Sequence, residues 1–412
     1  MSMKFELHNP VRIVFGAGEV GRLGETVRAY GTRVFIATMK ELEELGLLDR
    51  AIASMQAASV DFVLYPEVKP EPKSDAVDDA TEIVRDAGCE VVLGVGGGSC
   101  LDFAKALAIC ATHPETVWDY VNLSNRPPQP VDAGKVLPII AVPTTAGTGS
   151  EVTPYAVITN AETVQKGTIK EKAIFPKVAI VDPELTLGLP PGLTAATGID
   201  AFAHALESYF NVPNRTPYSD RLAEEALQWV IRHLPAAYEN GRDRLARSGM
   251  AWASTLAGIT ISLAGTTVGH ALAQPLGART GVSHANAVAT FLTAVLKHTW
   301  PADSDRFVKL AQIFGVPAGL VIEEAVQQSL AWLENFLARV NLPPKLPAVR
   351  EPERLREGLL EDVMTYMSRP LNQHARVFSR EDLCQIVKES LDRVLPSLAS
   401  TKTKVNQVGD GR

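Results

Sequence analysis

The sequence predicts two domains: an α/β domain over residues 1–190 built on a parallel sheet, then an all-helical domain over 191–399, ahead of a tail at 400–412. Three observations carry that expectation. Strand-like and helix-like segments alternate through the first half, strand signals almost vanish after about residue 190, and 412 residues are too many for one core.

The strand signals are short β-branched runs: VRIVF at 11–15, RVFIAT at 33–38, DFVLYP at 61–66, EVVLGVGGG at 90–98 and LPIIAVPTT at 137–145. Helical patterns such as LGETVRAYG and SDAVDDATEIVRDAG lie between the first four. Strands separated by helices imply parallel neighbours covered on both faces. AIVDPELTLGLPP at 179–191 follows with a cluster of Pro and Gly. From about Thr194 to Val394 the apolar residues keep a helical period, broken at Asn211–Pro217, at Pro301 and in NLPPKLP at 341–347. The polar tail from Ser400 is expected to be disordered.

Composition excludes several classes. A net charge of −7 without Lys/Arg runs argues against nucleic acid as a partner. Cys89, Cys100, Cys110 and Cys384 form no CxxC pair and read as buried thiols of a reducing cytoplasm. The N-terminus MSMKFELHNPVR lacks an apolar signal core. The apolar stretch from about Met250 to Leu276 is broken by Ser, Thr, Gly and His, which fits a buried helix pair better than a membrane span.

Two small-residue loops follow strands. Gly94, Gly96, Gly97, Gly98 and Ser99 end EVVLGVGGG, and LDFAKALAIC then begins a helix. Glycines let backbone approach an anion, and a helix N-terminus offers free N–H groups, so this turn reads as a diphosphate cradle. Asp102 and Lys105 either act in that site or face solvent on the helix's first turns. PTTAGTGSE at 143–151 is a second loop, dense in Thr and Ser donors. Two such loops at strand ends are the layout of a cofactor crevice. A G-x-G-x-x-G pattern runs from Gly16 to Gly21, but no acidic residue closes the next strand, RVFIATMK, so it reads as a turn opening a helix.

The second half carries four residues of metal-ligating type. Asp200 and His204 in ATGIDAFAHALESYF stand at i and i+4, one helical turn apart, where a carboxylate and an imidazole reach one ion. His270 and His284 lie fourteen positions apart in GHALAQPLGARTGVSHANA. One oxygen and three nitrogens suit Fe²⁺ or Zn²⁺ better than Mg²⁺ or Ca²⁺. His8, His113, His233 and His374 read as surface, and His298 either faces the site or packs at a helix end. Trp229, Trp252 and Trp332, among apolar residues, read as core.

In order and spacing, FGAGEV, GGGSCLDFAK, PTTAGTGSEVT, VAIVDPELT, GIDAFAHALESY and GHALAQPLG resemble the iron-containing (group III) alcohol dehydrogenases over roughly residues 10–300. The resemblance implies a Rossmann-like NAD(P) domain and a helical metal domain, in the architecture of dehydroquinate synthase, with the active site in the cleft between them. It places the metal ligands at Asp200, His204, His270 and His284, and the pyrophosphate loop at Gly96, Gly97, Gly98 and Ser99. Asp102, Thr144, Thr145, Ser150 and Lys166 fall where the family lines its cofactor pocket. The implied reaction interconverts a small primary alcohol or diol and its aldehyde or ketone by hydride transfer, with NAD or NADP. The apolar helical domain, for its part, points to a homodimer or larger assembly.

The chain departs from the family pattern in places. Met39, followed by Lys40, stands where an Asp commonly binds the adenosine ribose, and loss of that like charge permits NADP(H). Gln274 replaces the second His of HAMAHPLG, a residue often assigned to proton relay, and Val288 replaces an Asn. Leu292-Thr293-Ala294 stands for the expected LPH, and Asn372-Gln373-His374 for NPR. Three other readings are a lyase resembling dehydroquinate synthase, a metal-free enzyme resembling maleylacetate reductase, and a non-catalytic nucleotide-binding protein.

Overall fold

A computed structural model describes residues 4–123, 126–163, 165–343, 346 and 349–395. The expected disorder from Ser400 and part of NLPPKLP lie outside these residues. The chain forms two compact units, Met1–Thr267 and Val268–Arg412.

The first unit holds strands β1 (Arg12–Phe15), β2 (Arg33–Ala37), β3 (Asp61–Tyr65), β4 (Val91–Gly96), β5 (Ile139–Pro143), β6 (Tyr155–Thr159), β7 (Lys166–Lys170) and β8 (Val178–Val181). Six of them make one sheet in the order β1-β8-β5-β4-β2-β3, with every pair parallel. β4, β5 and β8 are buried throughout, as central parallel strands covered on both faces must be. The edge strands β1 and β3 carry the partly exposed residues. β6 and β7 pair as a separate antiparallel hairpin, which the strand-like runs of the sequence did not include.

The covering helices are α1 (Leu23–Arg28), α2 (Lys40–Glu44), α3 (Asp49–Ala57), α4 (Ser74–Asp86) and α5 (Gly98–Cys110). One face of the sheet packs residues of α1 and α3, including Leu23, Val27 and Met55, against Val34, Leu93 and Ile180. The other packs α4 and α5, including Val77, Val84, Phe103 and Leu107, against Phe35 and Val92. The chain leaves β2 outward to β3, then crosses back to β4 and on to β5, so its direction reverses beside the β2–β4 pair, where Ala37 lies opposite Gly94. Ligand crevices of open α/β sheets lie at such a reversal, beyond the strands' C-terminal ends.

Helices α6 (Pro191–Tyr209), α7 (Pro217–Glu239) and α8 (Arg244–Leu263) complete this unit. The fold order is α/β followed by all-α, and by their contacts these three helices cluster with the sheet. Buried contacts explain it. Gly149 and Gly258 bring backbones so close that a Cβ at Gly149 would lie 2.4 Å from the Gly258 Cα. Thr255 Oγ1 donates to the buried Glu151 at 3.2 Å, and Arg247 donates to Leu189 O, Gly241 O and Thr194 Oγ1.

The second unit is helical among its described residues: α9 (Val268–Thr280), α10 (His284–Thr299), α11 (Ser304–Ile313), α12 (Ile322–Arg339), α13 (Pro352–Tyr366), α14 (Ser368–Gln373) and α15 (Arg380–Val394). Among the described residues no single helix is long and apolar enough to cross a membrane.

Several side chains sit elsewhere than their sequence neighbours suggest. His113, His233 and His374 are buried, not on the surface; only His8 is exposed as expected. The His233 ring fills space left by Gly249, whose Cβ would lie 2.3 Å from it, and stacks on Trp229. His113 Nε2 accepts the Asp132 N–H at 3.0 Å, and His374 Nε2 meets Thr299 Oγ1 at 2.8 Å. His298 packs at the end of α10, 3.4 Å from Glu389. Trp229, Trp252 and Trp332 are half-buried rather than core. Cys89, Cys100 and Cys110 are buried thiols, whereas Cys384 is exposed because it lies on the outer side of α15.

Candidate active site

The glycine turn links β4 to α5. Gly96 adopts φ +152°, and a Cβ there would lie 2.4 Å from Cys100 Sγ. A Cβ at Gly98 would meet Thr148 Cγ2 at 2.7 Å, so the two small-residue loops press together. Thr144 N–H donates to Gly96 O at 2.9 Å, and Thr145 lies 3.4 Å from where a Gly97 Cβ would stand. Gly97, the cap of α5, carries no side chain, so the cap residue bonds none of the helix's N–H groups through a side chain. Cys100 N–H donates to Gly97 O at 3.0 Å, so among the described residues the Gly98 and Ser99 N–H groups of this 13-residue helix are the ones left for an anion. Ser99 Oγ accepts the Glu71 N–H at 3.3 Å, which leaves its own proton to donate.

By contrast, the turn at Gly16–Gly21 is already occupied by the protein's own carboxylate: Val20 N–H donates to Asp182 Oδ2 at 3.2 Å. That agrees with its reading as a turn.

Asp102 and Lys105 do not face solvent. Lys105 is fully buried, and its ammonium donates to Ser150 Oγ (2.6 Å), Tyr155 O (2.7 Å) and Thr153 Oγ1 (3.2 Å). Three acceptors match the three protons of the charged form. Ser150 Oγ in turn donates to Asp102 Oδ1 at 2.5 Å, and Asp102 Oδ2 accepts the Val157 N–H at 2.9 Å. Burial raises the Asp102 carboxyl above its usual range, opposed by Lys105. Burial likewise lowers the Lys105 ammonium to about 8. Burial raises Glu151 as well. The family resemblance implied a place for Ser150 in the cofactor pocket; its hydroxyl is held between Lys105 and Asp102, so it straps α5 to the second loop. Glu151 and Thr153 were not among the sequence candidates, and for Lys105 the sequence left open whether it acts in the site or faces solvent. A charged side chain on a helix whose other residues are nearly all apolar was the available signal.

Lys166 opens β7 and pairs with Glu71. Met39 caps α2 in extended conformation and packs against both faces of the sheet core. Lys40 is exposed and lies 3.6 Å from Glu44. In α2, Leu42 Cδ1 lies 3.4 Å from the Gly96 Cβ position, so the ends of β2 and β4 converge.

In α6, Asp200 and His204 are both buried, with Oδ1 and Nε2 3.8 Å apart. The second loop touches this helix just before them: a Cβ at Gly147 would lie 2.5 Å from Thr197 O. In the second unit, His270 is buried on α9 and His284 is the half-buried first residue of α10, with ring centroids 5.2 Å apart. Asp200, His270 and His284 offer a carboxylate and two imidazoles, donors of the type that hold Fe²⁺ or Zn²⁺. Gln274 and Val288 each follow a histidine by one helical turn, so each shares its face.

Comparison with known proteins agrees with this chemistry. Residues 10–183 match the family model for iron-containing alcohol dehydrogenase, and residues 194–391 match the model for the family's C-terminal region. The chain is 33% identical over 372 residues to a choline dehydrogenase of Bacillus subtilis (strain 168), covering 89% of this chain and 92% of that one. It is 37% identical over 361 residues to long-chain-alcohol dehydrogenase 1 of Geobacillus thermodenitrificans (strain NG80-2), covering 86% and 90%. The crystal structure of an archaeal halo-thermophilic alcohol dehydrogenase from a Red Sea brine pool, bound to NZQ, superposes with a TM-score of 0.87 at 34% identity, over 95% of this chain and all of that one. With both halves matched by the family's models and relatives aligned over most of its length, the chain belongs to the iron-containing alcohol dehydrogenase family.

Proposed function

We propose that the protein is a metal-dependent, NAD(P)-linked oxidoreductase that interconverts a small primary alcohol or diol with its aldehyde or ketone. The observation that carries this reading is the pairing of an uncapped glycine turn with buried carboxylate and imidazole donors in a chain of this family. Asp200, His204, His270 and His284 hold one divalent ion, iron in the first place and zinc as a substitute. Bound there, the ion supplies Lewis acidity to the alcohol oxygen. Gly96, Gly97, Gly98 and Ser99 hold the cofactor's diphosphate, with Thr144, Thr145, Lys166 and Met39 along the rest of the dinucleotide. Bound there, the nicotinamide would supply the hydride acceptor or donor. The Asp102–Ser150–Lys105 strap fixes the two loops relative to each other, so the site is preorganised before substrate enters.

The test is NAD(P)H formation by purified protein with Fe²⁺ or Zn²⁺ added, over a panel of short alcohols and diols. Turnover is expected with at least one alcohol, lost on chelation and restored by metal. Full turnover by verified metal-free protein would end the metal assignment. The relatives act on alcohols as unlike as choline and long chains, so the panel must be wide. A cytoplasmic homo-oligomer completes the reading, supported by three buried free thiols and by exposed Phe5 and Leu7.

Met39 bears on cofactor choice. Met39→Asp introduces a carboxylate where a 2′-phosphate would lie. The NADP-to-NAD ratio of kcat/KM is expected to fall by about ten-fold or more, from like-charge repulsion at short range. An unchanged ratio would remove Met39 from the ribose site. Gln274 has no titratable proton, so any relay at this position runs through its amide or water. Gln274→His is expected to add an inflection to the pH–rate profile near the imidazole's ordinary range of about 6.5. Superimposable profiles would show that position 274 does not contact the proton path.

A further inference from the structure

We propose that Glu71 is a built-in competitor for the cofactor, its carboxylate masking the Lys166 ammonium beside the glycine turn so that dinucleotide affinity depends on opening that pair. The inference rests on the nucleotide site described above, with Lys166 among its binding groups.

Glu71 stands between Pro70 and Pro72 in the connection from β3 to α4. The connection is anchored at both ends. Val68 N–H donates to Thr38 O, Thr159 N–H to Pro72 O, and Ala161 N–H to Ser74 Oγ. Between these anchors Glu71 takes φ +58°, the left-handed region that side-chain-bearing residues seldom occupy. The local fold therefore commits this residue to an unusual backbone, and two contacts result. The Glu71 N–H reaches Ser99 Oγ at 3.3 Å, and its carboxylate pairs with Lys166. A single acidic residue thus engages two of the groups assigned to the cofactor.

Exposure decides which partner moves. The Lys166 side chain is 9% exposed and Glu71's is 46% exposed. The lysine stem is packed in place, whereas the carboxylate can swing into solvent by side-chain rotation alone. A paired lysine presents almost no net charge to an anionic dinucleotide, and a released one presents a full positive charge. Binding must therefore break an ion pair as well as make one, and the cost is electrostatic, screened by salt.

The test is direct titration with NADH and NADPH of the full-length protein, its Glu71→Gln and Glu71→Ala variants, and each paired with Lys166→Met. Glu71→Gln and Glu71→Ala are expected to tighten both cofactors alike, by about three- to ten-fold at low salt and less at high salt. With Lys166→Met present, the same changes are expected to alter affinity by less than about two-fold, because the masked charge is gone. Unchanged or weaker binding in both Glu71 variants would overturn the proposal and make Glu71 a support for Lys166. So would a gain that survives Lys166→Met, or one confined to NADPH. If the unmodified protein binds neither dinucleotide, the nucleotide site itself falls, an outcome distinct from a wild-type affinity that Glu71 does not change.

Discussion

His270→Ala is expected to leave a folded protein that binds NAD(P)H but holds little metal and turns over at least about a thousand-fold more slowly. The magnitude follows from the several kcal/mol that a Lewis acid contributes to stabilising an alkoxide, at about 1.4 kcal/mol per decade of rate. His270 is buried on α9, its ring 5.2 Å from that of His284, so removing it takes away one donor and the packing partner of another. Cofactor binding should survive, within about three-fold, because the glycine turn and its strap lie in the first unit, on residues that His270 does not shape. Metal analysis beside a cofactor titration checks both halves. A variant stripped of metal that keeps full activity would mean that these residues form a buried polar cluster and nothing more.

The fold was legible where short-range rules apply. Continuous apolar runs gave the central strands β4 and β5, because parallel strands are buried on both faces. The glycine turn was legible because Gly96 and Gly98 meet demands made by Cys100 and Thr148, close in sequence or in the adjoining loop. Helical period put Asp200 and His204 on one face of α6, where they lie, while their reading as ligands came from the family resemblance. What stayed hidden depended on distant partners. Lys105 looks like a solvent residue of a helix until Ser150, Thr153 and Tyr155 surround it from about fifty positions away. His233 looks exposed until Gly249, on the next helix, makes room for its ring. The β6–β7 hairpin buries Ala156, Ile158, Thr159 and Ile169, and its β7 strand carries a single buried residue among Lys, Gly and Thr, too thin an alternation to read. Glu71 has no sequence signal, since its role depends on a left-handed backbone angle and a lysine 95 positions on.

Gly96→Ala is expected to weaken NADH and NADPH binding at least about a hundred-fold and to destabilise the fold by about 2–4 kcal/mol, a loss read as a lower Tm. The new Cβ would lie 2.4 Å from Cys100 Sγ and 2.7 Å from its Cβ, at a φ of +152° that alanine avoids. Truncating Cys100 to Ala should not rescue it, because the Cys100 Cβ remains. Gly97→Ala separates the protein's demand from the ligand's. Gly97 has φ −73° and ψ −174°, open to any residue, and its Cβ would sit 3.4 Å from Thr145, the edge of ordinary contact. The fold should tolerate that change with Tm almost unmoved, so any loss of affinity must come from what occupies the turn. A loss of about ten-fold, with stability intact, is expected if a diphosphate lies against this backbone. Gly97→Ala binding both cofactors at the unmodified protein's affinity would place the diphosphate elsewhere and reduce the triple glycine to a packing device between two loops.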